Sequence, residues 1–122
     1  MKPAVLRLER LGELLTDEGC YIFELLNILE DESVSVARAR VLPDATTQLH
    51  RLEGIDERYV ITDGVGEVEI GGTIIQTVMA GDIVLIPGGT SQRITNTGNS
   101  DLSFLCICTP RFDPAAYEAL DV

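Results

Sequence analysis

From Val34 onward the chain is broken into short runs of alternating or apolar residues, and nearly every run ends at a turn signal. Val34 to Leu42 alternates until Pro43-Asp44. Thr46 to Leu52 closes at Gly54, and Arg58 to Thr62, β-branched and aromatic, meets Asp63-Gly64. Glu67 to Ile70 ends at Gly71-Gly72, and Thr73 to Met79 at Ala80-Gly81-Asp82. Ile83 to Ile86 ends at Pro87-Gly88-Gly89, Ser91 to Thr95 at Asn96-Thr97-Gly98-Asn99, and Leu102 to Cys108 is the last run. Alternation with a period of two places one side chain in each pair on a buried face, and glycine or proline punctuation lets the chain reverse. Many such strands in succession predict an all-β sandwich or barrel with its core over residues 34–108. The flanks read differently. Leu8, Leu11, Leu14 and Leu15 space like one face of a short N-terminal helix, weakened by Gly12. Tyr21 to Ile28 reads as a strand. Asp113 with Pro114 behind it predicts a capped C-terminal helix over Ala115 to Leu120.

Two groups of residues stand out within the strand-rich stretch. The first is His50-Arg51-Leu52, then Glu57, then Gly64. The second is Gly81, Pro87, Gly89, Gln92 and Asn96. Their spacing resembles the paired signature motifs of the cupin superfamily. That pair reads H-x-H, three or four residues, E, six residues, G, and then G, five residues, P-x-G, two residues, H, three residues, N. The resemblance covers His50 to Asn96. It implies a double-stranded β-helix of jelly-roll type, a single cupin domain over residues 1–122. Two positions depart from the pattern: Leu52 replaces the second histidine and Gln92 the third.

In cupins the motif histidines and glutamate face into the barrel and hold one divalent metal. The resemblance therefore implies a depleted set here, His50, Glu57 and Gln92, with His50 and Glu57 the residues that would also carry catalysis. Leucine coordinates nothing, and a glutamine amide oxygen is a weak, neutral ligand. One nitrogen and two oxygens suit Mn²⁺, Fe²⁺ or Ni²⁺ better than the four N or S ligands of structural zinc. Whichever of Mn, Fe, Ni or Zn it is, such a metal is weakly held and can be absent. Without metal, His50, the only histidine in the chain, can serve as a general acid or base with Glu57 as its partner. Gln92 has a plain structural reading as well, a hydrogen bond to a neighbour such as His50, and Glu57 could be a surface ion pair.

Strand parity extends the candidate pocket. If Glu57 points inward, so do Tyr59 and Ile61, and Gln92 carries Ile94 with it. The resemblance adds Phe104 and Cys106 from the last strand, beside Leu52. Such a lining is mostly apolar with few polar groups, the composition of a small-molecule pocket. It is equally the filling of a small barrel. Arg38 and Arg40 share a strand face, and the cost of burying two unpaired guanidiniums predicts that it faces outward. Cys106 and Cys108 also share a face, as buried apolar residues or as a thiol pair for a metal. With Cys20 they make an odd count of three, which argues against a disulfide framework.

Composition narrows the partners. With 20 acidic and 9 basic side chains the formal charge is −11. A surface so negative repels phosphate backbones and anionic lipid heads, so neither nucleic acid nor membrane is expected. The opening residues lack the long apolar stretch of a signal peptide, which predicts a cytoplasmic protein. A single domain of 122 residues leaves much apolar surface near water, which favours self-association, and the cupin resemblance implies a homodimer. The functional expectation is a small cupin with a reduced divalent-metal site that binds or transforms a small organic molecule inside the barrel, with metal-dependent oxygenase, isomerase and lyase chemistry as the candidate classes if it is an enzyme. The alternatives are a metal-free binder or His-based isomerase, and a non-catalytic structural dimer.

Overall fold

The structure is a computed structural model that describes residues 1–7, 13–16 and 19–120. Two antiparallel sheets lie face to face. The six-stranded sheet has the order β1 (Leu14–Leu15), β2 (Tyr21–Leu26), β3 (Ser35–Val41), β10 (Leu102–Thr109), β5 (Asp56–Asp63), β8 (Ile83–Ile86). The five-stranded sheet has the order β11 (Tyr117–Ala119), β4 (His50–Leu52), β9 (Gln92–Asn96), β6 (Val65–Ile70), β7 (Ile74–Met79). Consecutive strands repeatedly switch sheets, which is the jelly-roll path expected from the sequence.

Alternation sets which side chains are inside. On β5, Glu57, Tyr59 and Ile61 are buried, while Arg58, Val60 and Thr62 point out. On β9, Gln92, Ile94 and Asn96 are buried. The main core joins Ala39, Val41, Tyr59, Ile61, Val68, Ile70, Val84, Ile86, Ile94, Leu102 and Phe104 from both sheets. A second, smaller cluster of Leu52, Ile55 and Cys108 packs beneath Phe112, Ala116 and Tyr117.

The motif residues without ligand chemistry serve the backbone. Gly64 sits at φ 86°, and a Cβ there would come within 2.7 Å of the Asp101 carbonyl oxygen, so only glycine fits the β5–β6 turn. Asn96 is fully buried. Its amide donates to the carbonyls of Val41 and Ser100, and its Oδ1 accepts from Gly98 N–H. That one side chain ties β9 to β3 and to the turn before β10.

Both terminal helices expected from the sequence need correction. Leu14 and Leu15 form the two-residue strand β1, paired with Tyr21 and Ile22; Leu8, Leu11 and Gly12 lie outside the described residues. At the other end Asp113 does cap, accepting from Ala115 N–H at 3.0 Å, but the turn it starts is a 3₁₀ turn over Pro114–Ala116. Tyr117–Ala119 then pairs with His50–Leu52 as β11. A helix of six residues has too few internal hydrogen bonds to repay its nucleation. The open edge of β4 offers the same backbone groups immediate partners. Among the described residues no helix is long and apolar enough to cross a membrane.

Candidate functional site

His50 and Gln92 are directly opposite one another on β4 and β9 of the five-stranded sheet. Glu57 and Tyr59 face them from β5 of the other sheet. All four are buried: His50 is 3%, Glu57 8%, Tyr59 4% and Gln92 1% exposed. The Tyr59 hydroxyl donates to Gln92 Oε1, a hydrogen bond that crosses from one sheet to the other. Tyr59 also packs against the Phe104 ring, with centroids 4.4 Å apart.

His50 is held on two sides. Its Nδ1 lies 2.8 Å from the Gln48 carbonyl, which can only accept, so Nδ1 carries the proton and donates. In the neutral ring the lone pair is then on Nε2. The Tyr117 ring stacks on the imidazole at 4.8 Å and 20°. Tyr117 reaches that place because β11 is stitched down: Glu53 N–H donates to the Ala116 carbonyl, and Leu120 N–H to that of Leu49.

Glu57 is buried rather than on the surface. Its Oε2 accepts from the Cys108 thiol at 3.7 Å. Burial, and then the charge of Glu57, push that thiol up to about 12, so Cys108 stays protonated at neutral pH. The carboxylate of Asp56, one residue earlier, instead accepts Gly88 N–H at the turn before β9.

The predicted pocket residues come together only in part. Ile61, Ile94, Phe104 and Tyr59 are inward core residues, and Cys106 is half-buried against the same core. Leu52 shares the inward face of β4 with His50, as parity required, but belongs to the smaller cluster with Ile55 and Cys108. Arg38 and Arg40 do face outward. Arg38 lies over the Phe23 ring, and Arg40 pairs with Glu13 and Asp101 at 3.0 Å. A cavity of about 300 Å³ opens elsewhere, between the edge strands β7 and β8, with Val68, Ile70, Val78 and Val84 as apolar wall and Gln76 and Asp82 as polar lining. Its inner wall adjoins the polar cluster. Ile70 is the cross-strand neighbour of Gln92, and Val84 that of Tyr59.

Sequence reasoning missed Tyr117 because it lies in the segment read as helix. It also missed the Glu57–Cys108 contact, which pairs residues 51 apart in the chain. Parity placed Tyr59 inward, yet nothing local signals its bond to Gln92.

A match to the family model described as "Cupin domain" spans residues 37–108. The chain belongs to the cupin family. An uncharacterized protein of Methanocaldococcus jannaschii is 31% identical over 99% of this chain and 98% of its own length. An oxalate-binding protein of Thermotoga maritima is 34% identical over 69% of this chain and 73% of its own. The crystal structure of a predicted oxalate decarboxylase from Thermotoga maritima superposes with a TM-score of 0.72 at 28% identity, over 81% of this chain and 90% of that one.

Cupins often carry a metal, so the fit of this cupin's residues to one can be judged. Leucine stands at the second ligand position and packs on Ile55 and Cys108. Gln92 Oε1 is engaged by Tyr59, and Glu57 Oε2 by Cys108. Among the described residues no three His, Cys, Asp or Glu side chains are grouped to hold a metal ion. With leucine at one ligand position, the set His50, Glu57 and Gln92 is one donor short of the family's four, and Gln92 Oε1 already accepts from Tyr59.

Proposed function

We propose that this cupin binds a small, uncharged organic molecule bearing hydroxyl or amide groups, inside the barrel and without a metal. The observation that supports this reading is the charge of the inward polar set. His50, Tyr59, Gln92 and Glu57 supply donors, acceptors and one carboxylate, with no arginine or lysine among them. Arg38, Arg40 and Arg58 lie on the outer face of one sheet. Arg51 and Arg93 lie outside the other, bonded to Glu118 and Glu69. A dicarboxylate would bring further negative charge beside Glu57, with no arginine or lysine in the set to meet it, and burying a poorly paired charge costs several kcal/mol, roughly 3–5. An uncharged hydroxyl or amide can instead exchange hydrogen bonds with the Tyr59–Gln92 pair at little net cost. The cavity between β7 and β8, whose wall includes the cross-strand neighbours of that pair, Ile70 and Val84, is the opening that lies nearest to this reading. His50 and Glu57 are the groups suited to move a proton on such a ligand, so isomerisation with His50 as base is the reaction class this set supports.

A thermal-shift panel of neutral polyols, nucleosides and amides beside small dicarboxylates, run in EDTA, tests this. A neutral compound should raise the melting temperature in EDTA, and Gln92→Leu should abolish the effect. Stabilisation only by acids such as oxalate, and only after Mn²⁺, Fe²⁺, Ni²⁺ or Zn²⁺ is added, would defeat the reading and assign His50, Glu57 and Gln92 to a metal. Leu52→His is the positive control for metal capture in the same assay.

A further inference from the structure

The two sheets part along one side of the molecule. Strands β7 and β8 are the last strands of the five- and six-stranded sheets, and each ends its own sheet there. Pairing with β6 sets Ile74 beside Ile70, Gln76 beside Val68 and Val78 beside Gly66. Val68 and Ile70 are core residues, so parity turns Ile74, Gln76 and Val78 to the inward side as well. Of these three only Val78 is buried; Ile74 and Gln76 are exposed although they face inward. Strand β8 holds four residues against six in β7, and the inward face at the start of β7 is left open. This opening is the cavity of about 300 Å³ described above, at the small end of the range for organic ligands.

We propose that this cleft binds a small organic ammonium ion, an amine on a short aliphatic body. Three observations carry the assignment. First, charge: Asp82 is the one ionisable side chain in the lining, which contains no lysine or arginine. In a chain of net −11 such a cleft gathers cations and repels carboxylates and phosphates. Second, Asp82 is held in place. Its Oδ2 accepts from Met79 N–H at 2.8 Å, its own N–H donates to the Met79 carbonyl at 3.0 Å, and its carbonyl accepts from Ile61 N–H at 2.9 Å. A carboxylate so fixed loses little freedom when it pairs with an ammonium. Third, the floor suits an aliphatic body. Val68, Ile70, Val78 and Val84 are buried and apolar, and Gln76 sets a neutral amide oxygen among them. An ammonium has three donors and can use that oxygen together with Asp82. His50, Glu57, Tyr59 and Gln92 are not in the lining, so this site goes beyond the reading above and neither depends on the other.

Titration of the whole chain with n-hexylammonium, n-hexanol and hexanoate, followed by methyl NMR of Ile74, Val78 and Val84, tests the assignment. The three probes share one body and differ only in the head. Hexylammonium should bind at least about three-fold tighter than hexanol, and hexanoate weakest, with shifts confined to the cleft. Asp82→Asn keeps an oxygen for Met79 N–H and should bring hexylammonium down to the level of hexanol. Glu30→Gln removes the same charge at the exposed turn between β2 and β3 and should leave the preference intact. Failure of all three probes to bind at millimolar concentration overturns the proposal. So does a smaller preference for the ammonium, or one that survives Asp82→Asn or is lost in Glu30→Gln. Shifts gathered at Tyr59 and Ile94 instead would overturn it too, by placing the amine in the inward polar set. The comparison of heads on the wild type decides even where a variant does not fold.

Discussion

The Tyr59–Gln92 hydrogen bond is the residue-scale feature with the clearest consequence. Both side chains are more than nine-tenths buried, so neither can recover its lost partner from water. Tyr59→Phe should destabilise the fold by about 1–3 kcal/mol in urea titrations, because it strands the Gln92 carbonyl. Adding Gln92→Leu should return part of that loss, and strict additivity of the two changes would show that the bond contributes nothing. Cys108 gives a second prediction. Its folded pKa of about 12 lies above the ordinary value of 9.0. The protonated thiol is therefore favoured by folding, and this contribution is complete below pH 9 and is lost as pH rises toward 12. Native protein should resist alkylation at Cys108 at pH 8 while the unfolded chain reacts, read by peptide mass spectrometry. The family resemblance implied that His50, Glu57 and Gln92 face inward, and parity then carried Tyr59 with Glu57. Their partners were not legible: Cys108 reaches Glu57 only through strand pairing, and the bond of His50 to the Gln48 carbonyl depends on the irregular backbone just before β4.

At the scale of elements, the strands were readable and their ends were not. Ile83 to Ile86 was identified to the residue, whereas the run from Thr46 to Leu52 is a strand only over His50–Leu52. Before it, Thr46 makes a single bridge to Thr95, and Thr47 N–H bonds the Ile94 carbonyl. The C-terminal segment shows why local signals mislead. Asp113-Pro114 begins a turn as its chemistry requires, but the chain after it is captured by the open edge of β4. That capture brings Tyr117 onto His50. Tyr117→Ala should leave the two sheets intact and speed carbethoxylation of His50 by diethyl pyrocarbonate several-fold. An unchanged rate would mean that β11 does not govern access to the imidazole.

For the whole molecule, the relevant quantities are the charge of −11 and the apolar outer face of the six-stranded sheet, where Leu105, Val60 and Ile83 adjoin. For any pairing of two copies they would act in opposite directions, since apolar contact favours association while like charge opposes it. Raising salt shortens the screening length from about 10 Å at 0.1 M toward about 3 Å at 1 M. If two copies associate through that face, their association should tighten with added NaCl in sedimentation experiments; weakening with salt would place ion pairs rather than apolar side chains at the contact.

The sequence alone determined the all-β class, the cupin spacing, the turn glycines and which residues of each strand share a face. Each of these depends on neighbours within a few positions, through steric limits on backbone angles and the period of a strand. The tertiary structure decided that Tyr59 satisfies Gln92, that Cys108 meets Glu57, that Tyr117 covers His50, and that one outer face is apolar and the other polar. Those outcomes depend on which strands become neighbours, and register across a sheet joins residues that no local pattern connects.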